Sequence, residues 1–287
     1  MKEIVIISGK GGTGKTSVAA ALSVLVGSKA VIADCDVDAP DLHLVLAPTI
    51  KTREDFYSGV KAVIHTINCT QCGLCKEKCR FNAIEVINGE HVVIPLDCEG
   101  CGYCSYICPT NTIELKDEKV GECYISETHL GSPMVHSRLG IGADNSGKLV
   151  AKVKKEAKII AEKRGTEYVI VDGSPGIGCP VISSLSGADY VVFVTEPTLS
   201  GLNDLKRVWE LTKKFQIPAG CIINKADLNS EVFSGIKEYL EEEKIDFIAS
   251  INYDPDFQHA ITNGKSLIEL NRDQWGKVFS EIWKKIN

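Results

Sequence analysis

The stretch Ser8-Gly9-Lys10-Gly11-Gly12-Thr13-Gly14-Lys15-Thr16 decides how this chain folds. Gly9, Gly14, Lys15 and Thr16 satisfy the spacing G-x-x-x-x-G-K-T. The apolar run Ile4-Val5-Ile6-Ile7 ahead of it reads as a buried strand. Ser17-Val18-Ala19-Ala20-Ala21-Leu22 behind it reads as a helix. Strand, glycine loop and helix in that order make a phosphate cradle. Glycines let backbone N–H groups close around phosphate oxygens, and the helix N-terminus adds partial positive charge. In this reading Gly9 to Ser17 wrap the phosphates, Lys15 reaches the β- and γ-phosphates, and Thr16 holds Mg²⁺.

Working outward, Ala30-Val31-Ile32-Ala33 is a second buried strand that ends in Asp34-Cys35-Asp36-Val37-Asp38. Carboxylates at the C-terminal end of a strand lie where open α/β sheets bind ligands. Asp38 and Asp41 read as turn and cap residues, and residues 41–59 as a short helix and an irregular strand. Tyr168-Val169-Ile170-Val171 ends likewise in Asp172, followed by Gly173-Ser174-Pro175-Gly176-Ile177-Gly178. Tyr190 to Val194 and Cys221 to Ile223 are further buried strands, the latter ending in Asn224-Lys225-Ala226-Asp227. Phe247 to Ile251 is a last short one. Between them, Leu149, Val153, Ala157, Ile160 and Ala161 mark one helical face behind a cap at Asn145-Ser146-Gly147-Lys148. From Asp273 on, Trp275, Val278, Phe279, Ile282, Trp283 and Ile286 form a stripe at helical spacing, expected to dock on the core.

The chain has 287 residues, 44% hydrophobic and 24% charged, which is ordinary for a globular protein of one or two domains. A net charge of −6 argues against a nucleic-acid partner. No apolar run approaches the roughly 20 residues that span a bilayer, so no membrane partner is expected. With a strand at the very start and no leader pattern, a cytoplasmic location is expected.

Twelve cysteines are present, and eight fall in two tight clusters. Cys69, Cys72, Cys75 and Cys79 have the spacing C-x₂-C-x₂-C-x₃-C. Cys98, Cys101, Cys104 and Cys108 repeat it. Each cysteine of the second run stands at one constant offset from its counterpart in the first. Ala83-Ile84-Glu85 aligns with Thr112-Ile113-Glu114 at that same offset, so the duplication extends beyond the cysteines. Such spacing is metal-site usage; paired zinc knuckles are the competing reading to iron–sulfur. His129, Met134 and His136 sit outside any ligand spacing and read as ordinary residues. Cys179 reads as a buried structural cysteine, and Cys35, Cys123 and Cys221 also lack metal spacing.

Two resemblances follow from these motifs. The loop Gly-Lys-Gly-Gly-Thr-Gly-Lys-Thr, with its extra Lys10, resembles the deviant P-loop of the MinD/ParA/Mrp group of ATPases. That resemblance implies ATP and Mg²⁺ as ligands, and an ATP-dependent homodimer in which Lys10 touches the partner's nucleotide. It implies that Asp34 and Asp172 support Mg²⁺ directly or through water, that Asp36 orients or deprotonates the attacking water, and that Asn224 contacts the base. N-K-x-D also reads guanine in GTPases, so that motif alone leaves the base open; the loop favours ATP. The cysteine repeat resembles a bacterial two-cluster ferredoxin, where each run supplies three ligands and the other run the fourth. By that resemblance Cys69, Cys72, Cys75 and Cys108 hold one [4Fe–4S] cluster, and Cys98, Cys101, Cys104 and Cys79 the other. Arg80 stands where the second run has Pro109, a departure that leaves the ligand count intact.

The expected architecture is α/β: a mostly parallel P-loop sheet with helices on both faces, from residues 1–59 and 121–287. It is interrupted by a ferredoxin-like α+β domain at 60–120. The implied activity is ATP hydrolysis coupled to electron transfer, with an unnamed redox protein as partner. The alternatives are an iron–sulfur scaffold or carrier of the Mrp type and a positioning ATPase with structural clusters.

Overall fold

The computed structural model describes residues 1–140 and 146–287. The chain divides into two compact units. The first comprises Met1–Glu54, Glu122–Leu139 and Ser146–Asn287; the second comprises Asp55–Gly121 with Gly140. Elements in chain order are β1 (Lys2–Ile7), α1 (Lys15–Val26), β2 (Ala30–Asp34), α2 (Leu42–Leu46) and β3 (Thr49–Ile64). Next come α3 (Leu74–Lys78), β4 (Ile84–Ile87), β5 (Glu90–Val93), α4 (Tyr103–Tyr106), β6 (Ile113–Glu127) and β7 (Pro133–Leu139). After them follow α5 (Ser146–Arg164), β8 (Tyr168–Asp172), α6 (Cys179–Leu185), β9 (Tyr190–Thr195), α7 (Leu199–Lys213) and β10 (Ala219–Asn224). The chain ends with α8 (Ser230–Glu242), β11 (Asp246–Ile251), α9 (Asp256–Thr262), α10 (Leu267–Leu270) and α11 (Arg272–Ile286).

In the first unit the sheet runs β11-β10-β9-β1-β8-β2-β7, with β6 and β3 at the far edge. From β11 to β7 every pairing is parallel. Strands buried on both faces read as unbroken apolar runs, and β1, β2, β8, β9 and β10 do so. Their register sets Asp34 opposite Asp172. All three helices α1, α10 and α11 pack into one core with β1 and β9. Trp275, Phe279, Ile282 and Ile286 of α11 are buried there, and the side chain of Asn271 caps this helix by accepting from Gln274 N. The terminal stripe is thus docked on the core.

Three features of the fold go beyond the sequence pattern. β6 and β7 escape the sequence pattern, because Ser126, His136 and Ser137 are buried alongside the apolar Val120, Cys123, Met134 and Val135. β3, expected as an irregular strand within residues 41–59, is one strand of 16 residues that continues to Ile64. On α5, Lys154 is buried, paired with Glu3 at 2.7 Å and donating to the carbonyls of Ser184 and Ser186. The expected cap at Asn145 lies outside the described residues.

His129 ties the β6–β7 connection to its surroundings. Its Nδ1 lies 2.8 Å from Leu46 O at the end of α2, and its Nε2 2.5 Å from Glu269 Oε1 on α10. Burial opposes the charged imidazole, but Glu269 and the Leu46 carbonyl outweigh it and raise the pKa above 6.5. Glu269 is held below its usual 4.5, since Ser266 and His129 outweigh its burial. The pair therefore stabilises the fold fully between about pH 4.5 and 6.5. It loses that contribution as pH rises through the folded His129 pKa. The imidazole is 39% exposed, so the effect stays below about 1 kcal/mol. In urea unfolding, His129→Gln is expected to be less stable than wild type at pH 5.5 and nearly equal at pH 8.5. Parallel pH profiles for the two proteins would remove the ion pair from the account.

Candidate functional site

The loops at the C-terminal ends of β1, β2 and β8 are stitched together. Gly173 N donates to Ile6 O, Cys35 N to Asp172 O, and Gly176 N to Ser8 O. The Ser174 hydroxyl donates to Cys35 O at 2.6 Å. The glycine loop is fixed as tightly. Gly14 has φ 94°, and a Cβ there would lie 2.5 Å from Asn224 Nδ2. Beside these loops lies a cavity of about 710 Å³, lined in part by Gly14, Lys15, Thr16, Asp36, Asn224 and Phe257.

Lys15 is the electrostatic centre. Its Nζ lies 2.7 Å from Asp172 Oδ1 and 3.3 Å from Asp36 Oδ2. Burial disfavours its charge, but Asp172 and Asp36 outweigh that and raise its pKa. Burial pushes the Asp34 carboxyl well up, and the Asp172 charge adds to it. Asp36 is also pushed up by burial, against the pull of Lys15. One lysine faces three carboxylates. Asp34 Oδ2 and Asp172 Oδ2 are buried without a hydrogen-bond partner among the described residues. Asp36 lines the cavity. Ser17 and Thr13 are buried beside the loop; Thr13 O accepts from Asn224 Nδ2 at 2.8 Å.

Asn224, read as a base contact, spends its amide on the protein itself. Its Nδ2 holds the P-loop, and its Oδ1 accepts from Lys225 N at 2.9 Å. Asp227 accepts from Tyr253 N. Lys10 turns back within its own chain. Its Nζ pairs with Glu196 Oε1 at 2.7 Å and donates to Ser200 Oγ at 2.9 Å. The other oxygen of Glu196 pairs with Lys225 at 2.8 Å, and Lys225 also donates to Gly12 O. Glu196 thus binds two lysines, of which Lys225 lines the cavity. Burial opposes its charge, but the two lysines prevail and hold its pKa below the usual carboxylate value.

In the second unit the sequence duplication is also a backbone duplication. Gln71, Gly73 and Asn82 have φ 55°, 76° and 54°; their counterparts in the second run, Gly100, Gly102 and Asn111, have 63°, 75° and 52°. Cys79 N donates to Lys76 O, and Cys108 N to Ser105 O. Two cavities result. One, of about 20 Å³, is lined by Cys69, Cys72, Cys75 and Cys108. The other, of about 470 Å³, is lined by Cys79, Cys98, Cys101 and Cys104. Each therefore collects three cysteines of one run and the last cysteine of the other. Burial pushes the Cys108 thiol up, but donors on Thr112 and Thr110 outweigh this and bring it to about 7. Among the described residues, no three histidine, cysteine or carboxylate side chains form a group able to hold a single metal ion.

Comparison with known proteins decides the family. The model of the CobQ/CobB/MinD/ParA nucleotide binding domain matches residues 4–268. The chain belongs to this family. A relative in Methanocaldococcus jannaschii, the uncharacterised protein MJ0578, is 38% identical over 232 residues, 79% of each chain. An iron-sulfur cluster carrier protein of Pyrococcus abyssi is 24% identical over 154 residues, 49% of this chain and 52% of the relative. The septum site-determining protein MinD of Pyrococcus horikoshii, solved with Mg-ADP, has the same fold. Its TM-score is 0.57 at 19% identity, over 100% of this chain and 96% of that one.

In this CobQ/CobB/MinD/ParA member, sequence reading misses Glu196, which has no motif of its own and meets Lys10 only through the fold. It also misses Phe257, whose ring edge stands 3.3 Å from where a Gly14 Cβ would be. Cys179 is exposed at the start of α6, which corrects its reading as a buried residue. Among the described residues, no helix is long and apolar enough to cross a membrane.

Proposed function

We propose that the chain is an ATP-hydrolysing iron–sulfur protein that couples nucleotide state to electron transfer through two [4Fe–4S] clusters. The observation that carries this is the pair of cysteine-lined cavities, each with three ligands from one run and one from the other. A zinc site draws four thiolates onto one ion, whereas a cubane spreads them around a cage. Four cysteines at each cavity are the number of thiolates a cubane takes. Cys69, Cys72, Cys75 and Cys108 would hold one cluster, and Cys79, Cys98, Cys101 and Cys104 the other. When bound, they supply one-electron redox chemistry.

On the nucleotide side, the unpartnered oxygens of Asp34 and Asp172 suit a hard dication. These residues and Thr16 would hold Mg²⁺, directly or through water. Gly9 to Ser17 would wrap the phosphates, with Lys15 neutralising charge on the transferring group. Asp36, open to the cavity, would orient or deprotonate the water. Lys10 leaves Glu196 to meet the nucleotide of a second copy in an ATP-dependent homodimer. Lys225 is then the remaining cation on Glu196.

The relative named as an iron-sulfur cluster carrier favours a second reading, in which the clusters are cargo. One experiment separates the two. The protein is reconstituted anaerobically with iron and sulfide, and Mg-ATP hydrolysis is measured in the oxidised and dithionite-reduced forms. The coupled reading expects a redox-dependent rate and iron retained on incubation with an apo-acceptor. Quantitative transfer of iron to the acceptor, with equal hydrolysis rates, would establish the carrier reading.

A further inference from the structure

The two cysteine cavities arise from one duplicated segment, so differences between them stand out. The equivalent positions around the last cysteine of each run are informative. Cys108 is followed by Thr110 and Thr112, whereas Cys79 is followed at the same offsets by Phe81 and Ala83. Thr112 Oγ1 lies 3.4 Å from Cys108 Sγ, and Thr110 Oγ1 lies 3.6 Å from it. The two hydroxyls are also 3.3 Å from each other, and Thr112 is buried. Neither Phe81 nor Ala83 has a side-chain donor to offer Cys79. Backbone geometry is matched across the repeat, with Asn82 and Asn111 at φ 54° and 52°. The hydroxyls are therefore a chemical difference laid on equal backbones.

A ligand thiolate has no proton to give, so a hydroxyl at this distance donates to it. A donor to a ligand sulfur stabilises the more negative, reduced form of a cluster, and hydrogen bonds to the sulfurs are among the factors that set cluster potential. We infer that Thr110 and Thr112 are positioning residues for the site of Cys69, Cys72, Cys75 and Cys108: their hydroxyls hold Cys108 Sγ and raise the reduction potential of that site alone. The inference rests on the iron–sulfur reading above. It makes the two sites electronically distinct although one duplication produced both.

The test is an anaerobic redox titration of the reconstituted full chain, followed by EPR, on wild type and two double variants. Thr110→Val with Thr112→Val removes both hydroxyls and keeps the branched shape. Thr110→Ser with Thr112→Ser keeps the hydroxyls. One of the two couples is expected to move down in the valine protein by about tenfold in its reduction equilibrium, about 59 mV for one electron. The other couple stays, and the serine protein matches wild type. Both couples moving, neither moving, or the serine protein shifting like the valine protein would overturn the inference. If the double valine protein fails to load that site, Thr110→Val alone is titrated instead, and its couple must move down while Thr110→Ser stays at the wild-type value. Failure of the wild type to bind about eight irons and yield reducible clusters would instead sink the iron–sulfur reading itself.

Discussion

Replacing Asp36 with alanine is expected to lower Mg-ATP hydrolysis by roughly 10²- to 10⁴-fold, the usual worth of a positioned proton acceptor. Binding of Mg-ATP should stay within about tenfold of wild type. The three carboxylates around Lys15 are not equivalent. Asp34 and Asp172 are each 1% exposed, with an unpartnered oxygen apiece. In the proposed mechanism they would support a cation. Of the three, Asp36 alone lines the cavity, and the proposed mechanism gives it the attacking water. Its link to Lys15, at 3.3 Å, is the longer of that lysine's two ion pairs. Its removal therefore leaves Lys15 anchored by Asp172. Asp36→Asn sharpens the test, since it keeps the shape and loses the base. Isothermal titration with a slowly hydrolysed ATP analogue measures binding, and phosphate release measures the rate. Hydrolysis near the wild-type rate in both variants would take the water-handling role from Asp36. Loss of binding along with hydrolysis would make Asp36 a support for Lys15 instead.

Much of this site is legible in the sequence because its signals are local. Four apolar residues before Ser8 and a helix-forming run after Thr16 place the glycine loop without reference to anything distant. Asp34 and Asp172 each end an apolar run, and the sheet register brings them opposite one another. What stays hidden depends on contacts between distant positions. Glu196, just past the end of β9, binds Lys10 in the first loop of the chain, across a connection that no spacing rule spans. Nothing local marks Lys154 as buried; Glu3 and two carbonyls surround it only in the fold. β6 and β7 bury histidine and serine, so the apolar alternation that announces a half-buried strand is missing from them. Cys179 is the opposite error: the general preference of free cysteine for burial gives way to its place at the exposed start of α6. The cysteine repeat is the easiest feature to read and the hardest to assign. Spacing shows two runs, but the partner of each fourth cysteine is a matter of how the runs fold on each other.

That partnership yields the second large effect, and it is tested by non-additivity. In a reconstituted wild type the two-cluster reading expects about eight irons per chain. Cys72→Ser and Cys108→Ser should each cost about four, because both line the smaller cavity. Their combination should cost no more than either alone, since one site is lost only once. Cys101→Ser lines the other cavity, with Cys79. Pairing it with Cys108→Ser should therefore empty both sites, although Cys101 and Cys108 belong to the same run. Sites that share no ligand add, and residues serving one site do not, which is the logic of a double-mutant cycle applied to iron content. If each run instead closed its own site, the outcome would reverse. Cys101→Ser with Cys108→Ser would retain about four irons, and Cys72→Ser with Cys108→Ser would retain almost none. Iron and sulfide assays on these proteins therefore distinguish ligand exchange between the runs from two self-contained loops. The far-ultraviolet circular dichroism of each variant shows whether the fold outside the second unit has survived the substitution.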